Sequence, residues 1–96
     1  MKNISMKELH EKLANLSADE LILDVRSPEE FRNGHVPGSK NIPVDIVLKH
    51  VADLKRFKTV YIHCQAGGRA SMAFAALQQA GLDNLVCVGR GAWETG

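Results

Sequence analysis

Ninety-six residues, 45% apolar and 24% charged, suffice for one soluble globular domain with a core and little stability to spare. A net charge of +1 gives no reason for nucleic acid or a membrane surface to be a partner. No apolar run approaches a membrane span, and the N-terminus from Met1 to Glu8 lacks the apolar centre of a signal peptide, which places the protein in the cytoplasm. An excised domain would read the same way.

The segments alternate between helical and strand patterns, with no repeat or linker. Ser5 has the form of an N-cap and Glu8, three residues on, completes a capping box, with Ile4 and Leu9 as a hydrophobic staple. Met6, Leu9, Leu13 and Leu16 then recur on one helical face. Leu21 to Val25 is a short apolar run of the kind that forms a buried parallel strand. Ser27-Pro28-Glu29-Glu30 repeats the helix-start grammar with proline at the first helical position, and Gly34 stops that helix. His35 to Pro43 reads as loop with room for one short edge strand, and Asp45 to Leu54 as one or two short helices burying Ile46, Val47, Val51 and Leu54. Thr59 to His63 is the second strong strand. Arg69 to Ala80 is an alanine-rich helix closed by Gly81, and Leu85 to Val88 is the last clear strand. Strands alternating with helices imply a parallel sheet covered on both faces, with its ligand site beyond the C-terminal strand ends.

Cys64 falls at such an end. It closes the run Thr59-Val60-Tyr61-Ile62-His63 and opens Gln65-Ala66-Gly67-Gly68-Arg69 before the alanine-rich helix. A loop of this form turns backbone N–H groups inward, and the helix behind it adds a partial positive charge. A thiol placed there gives up its proton more easily and becomes a nucleophile. Gly67 and Gly68 suit a loop that needs positive φ angles and close backbone approach. Arg69 is the loop's one charged side chain. It either attracts an anionic donor or braces the loop by pairing with a carboxylate such as Asp24. His63 neighbours the cysteine in sequence, but adjacent strand residues point to opposite faces, so it reads as structural.

The second cysteine, Cys87, sits mid-strand and reads as core packing rather than as a disulfide partner. No cysteine lies within three positions of Cys64, which excludes a C-x-x-C redox pair, and no Cys/His group has zinc spacing. Neither a metal nor a cofactor is expected.

Three pieces together resemble the rhodanese (sulfurtransferase) family across essentially the whole chain, read as one domain over residues 1–96. The first runs from Leu23-Asp24-Val25-Arg26 through Glu30-Phe31, Gly34-His35-Val36-Pro37-Gly38-Ser39 and Asn41-Ile42-Pro43, and is similar to the family's N-terminal signature. The second, Cys64-Gln65-Ala66-Gly67-Gly68-Arg69, is similar to its C-x-x-G-x-R loop. The third, Val88-Gly89-Arg90-Gly91-Ala92-Trp93, resembles the closing G-G-x-x-x-W, but Arg90 splits the glycines and the approach to Trp93 is shorter than the pattern. Trp93 would wall the pocket or fill the core.

The resemblance implies a rhodanese-like α/β domain with a five-stranded parallel sheet flanked by helices on both faces. It implies transfer of a sulfane sulfur from thiosulfate, polysulfide or a persulfide to a thiophilic acceptor, a thiol or cyanide, through a Cys64 persulfide. A protein thiol could serve as acceptor. Amides from Gln65, Ala66, Gly67, Gly68 and Arg69 would hold the anion, while Asp24, Arg26 and His35 would act as scaffold. One alternative is a sulfur-carrier or binding module in a relay. Another is a cysteine phosphatase or arsenate reductase, which needs C-x5-R, a loop one residue longer than the C-x4-R here and wide enough for a tetrahedral oxyanion.

Overall fold

The computed structural model describes residues 2–66 and 68–89. Its elements in chain order are β1 (Asn3–Ile4), α1 (Met6–Leu13), β2 (Glu20–Asp24), α2 (Pro28–Arg32), β3 (Lys40–Asn41), a 3₁₀ helix (Val44–His50), α3 (Val51–Leu54), β4 (Thr59–His63), α4 (Gly68–Gln79) and β5 (Leu85–Val88). The five strands form one sheet in the order β1-β5-β4-β2-β3, and every pairing is parallel. Among the described residues, no helix is long and apolar enough to cross a membrane.

Local chemistry sets the element ends. Ser5 accepts from the Glu8 N–H while Glu8 returns the contact to the Ser5 N–H, and Ser27 and Glu30 repeat the arrangement at α2. Helix α4 ends in a Schellman motif. Gly81 at φ +101° lets its own N–H reach the Gln78 carbonyl and the Leu82 N–H reach the Leu77 carbonyl. Helix α1 ends at Leu13, short of the Leu16 that the apolar spacing had included; Leu16 packs on the same cluster from the following turn.

Strand alternation divides the core in two. Leu21, Leu23, Val60, Ile62, Cys64, Leu85 and Cys87 face α4, α3 and the 3₁₀ helix, where Ala70, Ala73, Phe74 and Leu77 meet them. Ile22, Tyr61, Val86 and Val88 face α1 through Leu9, with Val36 beside them. Both faces are covered by helices, so the strands read as continuous apolar runs.

Strand β1 has no signal in the sequence beyond Ile4, which read as a staple. It forms because Asn3 and Ile4 extend the sheet beside Cys87 and Val88. The Lys2 and Ile4 carbonyls accept from the Cys87 and Gly89 N–H groups. Two residues cannot announce a strand; the free edge of β5 decides it.

Candidate active site

Strands β2 and β4 lie side by side, yet the chain leaves them in opposite directions, β2 toward β3 and β4 toward β5. This reversal is a topological switch point, where the loops at the C-terminal strand ends part and leave a crevice. Cys64 follows β4 at that point, and Val25 follows β2, its N–H donating to the His63 carbonyl at 3.0 Å.

Cys64 is buried on the α4 face, between β4 and the head of α4. The Ala70 N–H donates to its Sγ at 3.2 Å. Ala70 belongs to the first turn of α4, where N–H groups lack helical acceptors and point at whatever sits in front. The donor described is therefore one residue beyond the Gln65–Arg69 stretch that the sequence nominates. Gln65 and Ala66 are exposed, and Gly68 is the exposed first residue of α4. Gly67 lies outside the described residues, as do Arg90, Gly91, Ala92 and Trp93 of the third motif.

Arg69 makes a fork-on-fork pair with Glu30: Nη1 donates to Oε1 at 2.6 Å and Nη2 to Oε2 at 3.0 Å. Its partner is thus not Asp24, the carboxylate the sequence suggested, because Asp24 is fully engaged by Arg26. The Arg69 hydrogen bonds, helped by Ser27, hold the Glu30 carboxyl down to about 2, and they raise the Arg69 guanidinium in turn. Glu30 therefore carries two tasks. It closes the α2 capping box through Ser27 and ties α2 to the sulfur loop.

Asp24, Arg26 and His63 form a polar group on the opposite face of the sheet from Cys64. Arg26 Nε lies 3.0 Å from Asp24 Oδ1 and Nη2 lies 2.7 Å from Oδ2, while the Arg26 N–H also donates to Oδ1. The hydrogen bonds it donates to Asp24 raise the Arg26 guanidinium. Arg26 Nη2 reaches on to the Gly34 carbonyl at 2.8 Å, which pins the end of α2. His63 pairs in register with Asp24, its Nδ1 4.0 Å from Oδ2, with both side chains buried. His35 turns back onto α2, donating from Nδ1 to the Phe31 carbonyl at 2.7 Å and stacking on the Phe31 ring at 3.7 Å.

The sequence reading missed two residues that organise this region. Asn41 donates to the carbonyls of both Asp24 and Arg26, fixing the turn out of β2. Glu30 read as a helix cap and as part of the N-terminal signature, with no partner assigned; the signal that could have exposed its role is the lone arginine of the loop, which needs a carboxylate if it is to be half-buried.

The family profile described as "Rhodanese-like domain" matches residues 5–95. A sulfurtransferase of Allochromatium vinosum is 28% identical over 81 residues, covering 84% of this chain and 75% of the relative. The uncharacterized protein YqhL of Bacillus subtilis is 35% identical over 60 residues, covering 62% of this chain; the chain spans only 48% of YqhL's length. Among solved structures, a rhodanese-like domain protein from Staphylococcus aureus superposes with a TM-score of 0.82 at 34% identity, covering 95% of this chain and 87% of that one. The parallel sheet, the cysteine loop at its switch point and this match over nearly the whole length agree: the chain belongs to the rhodanese-like domain family of sulfurtransferases and sulfur carriers.

Proposed function

We propose that this protein moves a sulfane sulfur from a small donor, thiosulfate, polysulfide or a persulfide, to a thiol acceptor, with a Cys64 persulfide as the covalent intermediate. One observation carries the reading: the Cys64 sulfur sits at the switch point and receives the Ala70 N–H at the head of α4. The N–H groups at a helix start have no helical acceptors and are free to hold the sulfur of such an intermediate. The Cys64 thiolate attacks the outer sulfur of the donor. A new S–S bond forms at Sγ, and the old S–S bond breaks with its electron pair leaving on the remainder, sulfite in the case of thiosulfate. An acceptor thiolate then attacks the outer sulfur of the persulfide and restores the Cys64 thiolate. Splitting the transfer through a covalent intermediate replaces one hard step with two easier ones.

In this reading the amides of the Gln65–Arg69 loop serve the transferred outer sulfur, next to the Ala70 N–H that meets Cys64 Sγ. Asp24, Arg26 and His35 act at a distance by holding the turns that frame it. The C-x4-R spacing is one residue shorter than the C-x5-R of a phosphoryl-binding loop, which supports transfer of a single sulfur. A cytoplasmic setting, where thiols stay reduced, suits this chemistry.

Incubation with thiosulfate and, separately, with polysulfide, followed by intact-mass measurement, should show one added sulfur that Cys64→Ser cannot take up. Steady-state kinetics should give parallel double-reciprocal plots when donor and acceptor are varied. Robust hydrolysis of aryl phosphates with no Cys64 persulfide would overturn the reading.

A further inference from the structure

A pocket of about 350 Å³ opens beside the sulfur loop at the C-terminal end of the sheet. Val25, Pro43, Val44 and Ile46 give it apolar walls, and Asp45 and Arg69 supply its charged side chains. Two larger hollows, of about 500 and 480 Å³, lie elsewhere. Lys2 and Leu85 line one and Asp19 and Phe57 the other, all near the N-terminal strand ends and away from Cys64.

The smaller pocket is joined to the sulfur loop on two sides. Val25 bonds to His63, the residue before Cys64, and Arg69 precedes Ala70, the residue that donates to Cys64 Sγ. Its volume and apolar walls suit a small organic group.

Charge narrows the choice of occupant. Both guanidinium nitrogens of Arg69 that face outward from its stem are held by the two oxygens of Glu30, and Glu30 remains ionised at any physiological pH. Gln65 and Ala66 carry no charge. The exposed carboxylate of Asp45 adds a negative charge at the pocket. A dianion arriving at this entrance therefore meets a cation already neutralised and a carboxylate that repels it.

We propose that this pocket receives the organic half of the sulfur donor, a low-molecular-weight alkyl persulfide that carries at most one negative charge where thiosulfate carries two, and that Glu30 and Asp45 set the preference for it over inorganic thiosulfate. The inference rests on the sulfur-transfer reading and narrows its donor. In the step, Cys64 thiolate attacks the outer sulfur of R–S–SH. The Cys64–S bond forms, the donor's S–S bond breaks with its electron pair on the inner sulfur, and R–S⁻ leaves while the proton stays on the transferred sulfur. The alkyl group R remains against Val44 and Ile46 until the thiolate departs.

The test compares kcat/KM for thiosulfate and for 2-hydroxyethyl persulfide, at low and high salt, in the wild-type protein and in Asp45→Lys, Glu30→Gln and Ile46→Trp. The wild type should favour the alkyl persulfide. Asp45→Lys and Glu30→Gln should each shift the ratio toward thiosulfate by about tenfold at low salt, with the shift shrinking as salt rises. Ile46→Trp, which fills the pocket, should raise KM for the alkyl persulfide by about tenfold and move its kcat much less. Asp45 is exposed, so its variant keeps the test sound if the tryptophan variant fails to fold. A wild type that uses thiosulfate as well as the alkyl donor, or a ratio unmoved by Asp45→Lys, would overturn the pocket assignment while leaving sulfur transfer intact. Failure of Cys64 to take sulfur from either donor would overturn both.

Discussion

The two cysteines share one face of the sheet and differ in what surrounds them. Cys64 stands at the strand end before a helix N-terminus, whereas Cys87 is packed inside β5, where burial pushes its thiol up and the Ser71 hydrogen bond only partly offsets this. A thiol that its surroundings hold protonated is a poor nucleophile. Cys87→Ser is therefore expected to keep most of the sulfur transfer, and alkylation at neutral pH should label Cys87 only as fast as the protein unfolds. A folded but inactive Cys87→Ser protein would contradict this division of labour. Glu30 gives a second check at this scale. Its folded value of about 2 lies below the ordinary 4.5, so the Glu30–Arg69 pair stabilises the fold fully above about pH 4.5 and loses that contribution as pH falls toward 2. Urea midpoints of the wild type and Glu30→Gln should differ by a constant amount from neutral pH down to about 5, then converge in acid. A gap that persists at pH 2 would mean that Glu30 acts through something other than its charge.

Short signals proved sufficient for most elements because they are satisfied within a few residues. The capping boxes at Ser5/Glu8 and Ser27/Glu30 and the glycine closing α4 are local chemistry, and each formed where the sequence placed it. Gly81 can be tested directly. At φ +101° a side chain is strained even though no atom lies within 4 Å of the added carbon. Gly81→Ala should cost about 1–2 kcal/mol through backbone strain alone, read as a lower urea midpoint with an unchanged m-value. A neutral result would show that the α4 terminus can relax without its left-handed residue. The elements that the sequence left open are those whose form depends on neighbours. The region read as one or two short helices is a 3₁₀ helix running into α3, and the edge strand within the 35–43 loop is Lys40–Asn41, held by β2.

At the scale of the whole molecule, one sheet is shared by two apolar clusters, so neither face can unfold alone without exposing strands that the other buries. Leu9 on the α1 face and Leu77 on the α4 face are both fully buried. Leu9→Ala and Leu77→Ala should each cost about 2–5 kcal/mol, a large part of the roughly 5–15 kcal/mol that holds a domain of this kind together. Both should still unfold in one transition by circular dichroism; a separate early transition in either variant would show that the faces are uncoupled. The sequence by itself determined the alternation of helices and strands, the parallel α/β class, the caps and the cysteine loop, because periodicity and capping are written in runs of a few residues. Only the tertiary structure decided that β1 joins the sheet, that Glu30 rather than Asp24 meets Arg69 across 39 residues of chain, and that a largely apolar pocket opens beside Arg69. Those features arise where strands β2 and β4 part at the switch point, and no local pattern encodes which distant side chains that junction brings together.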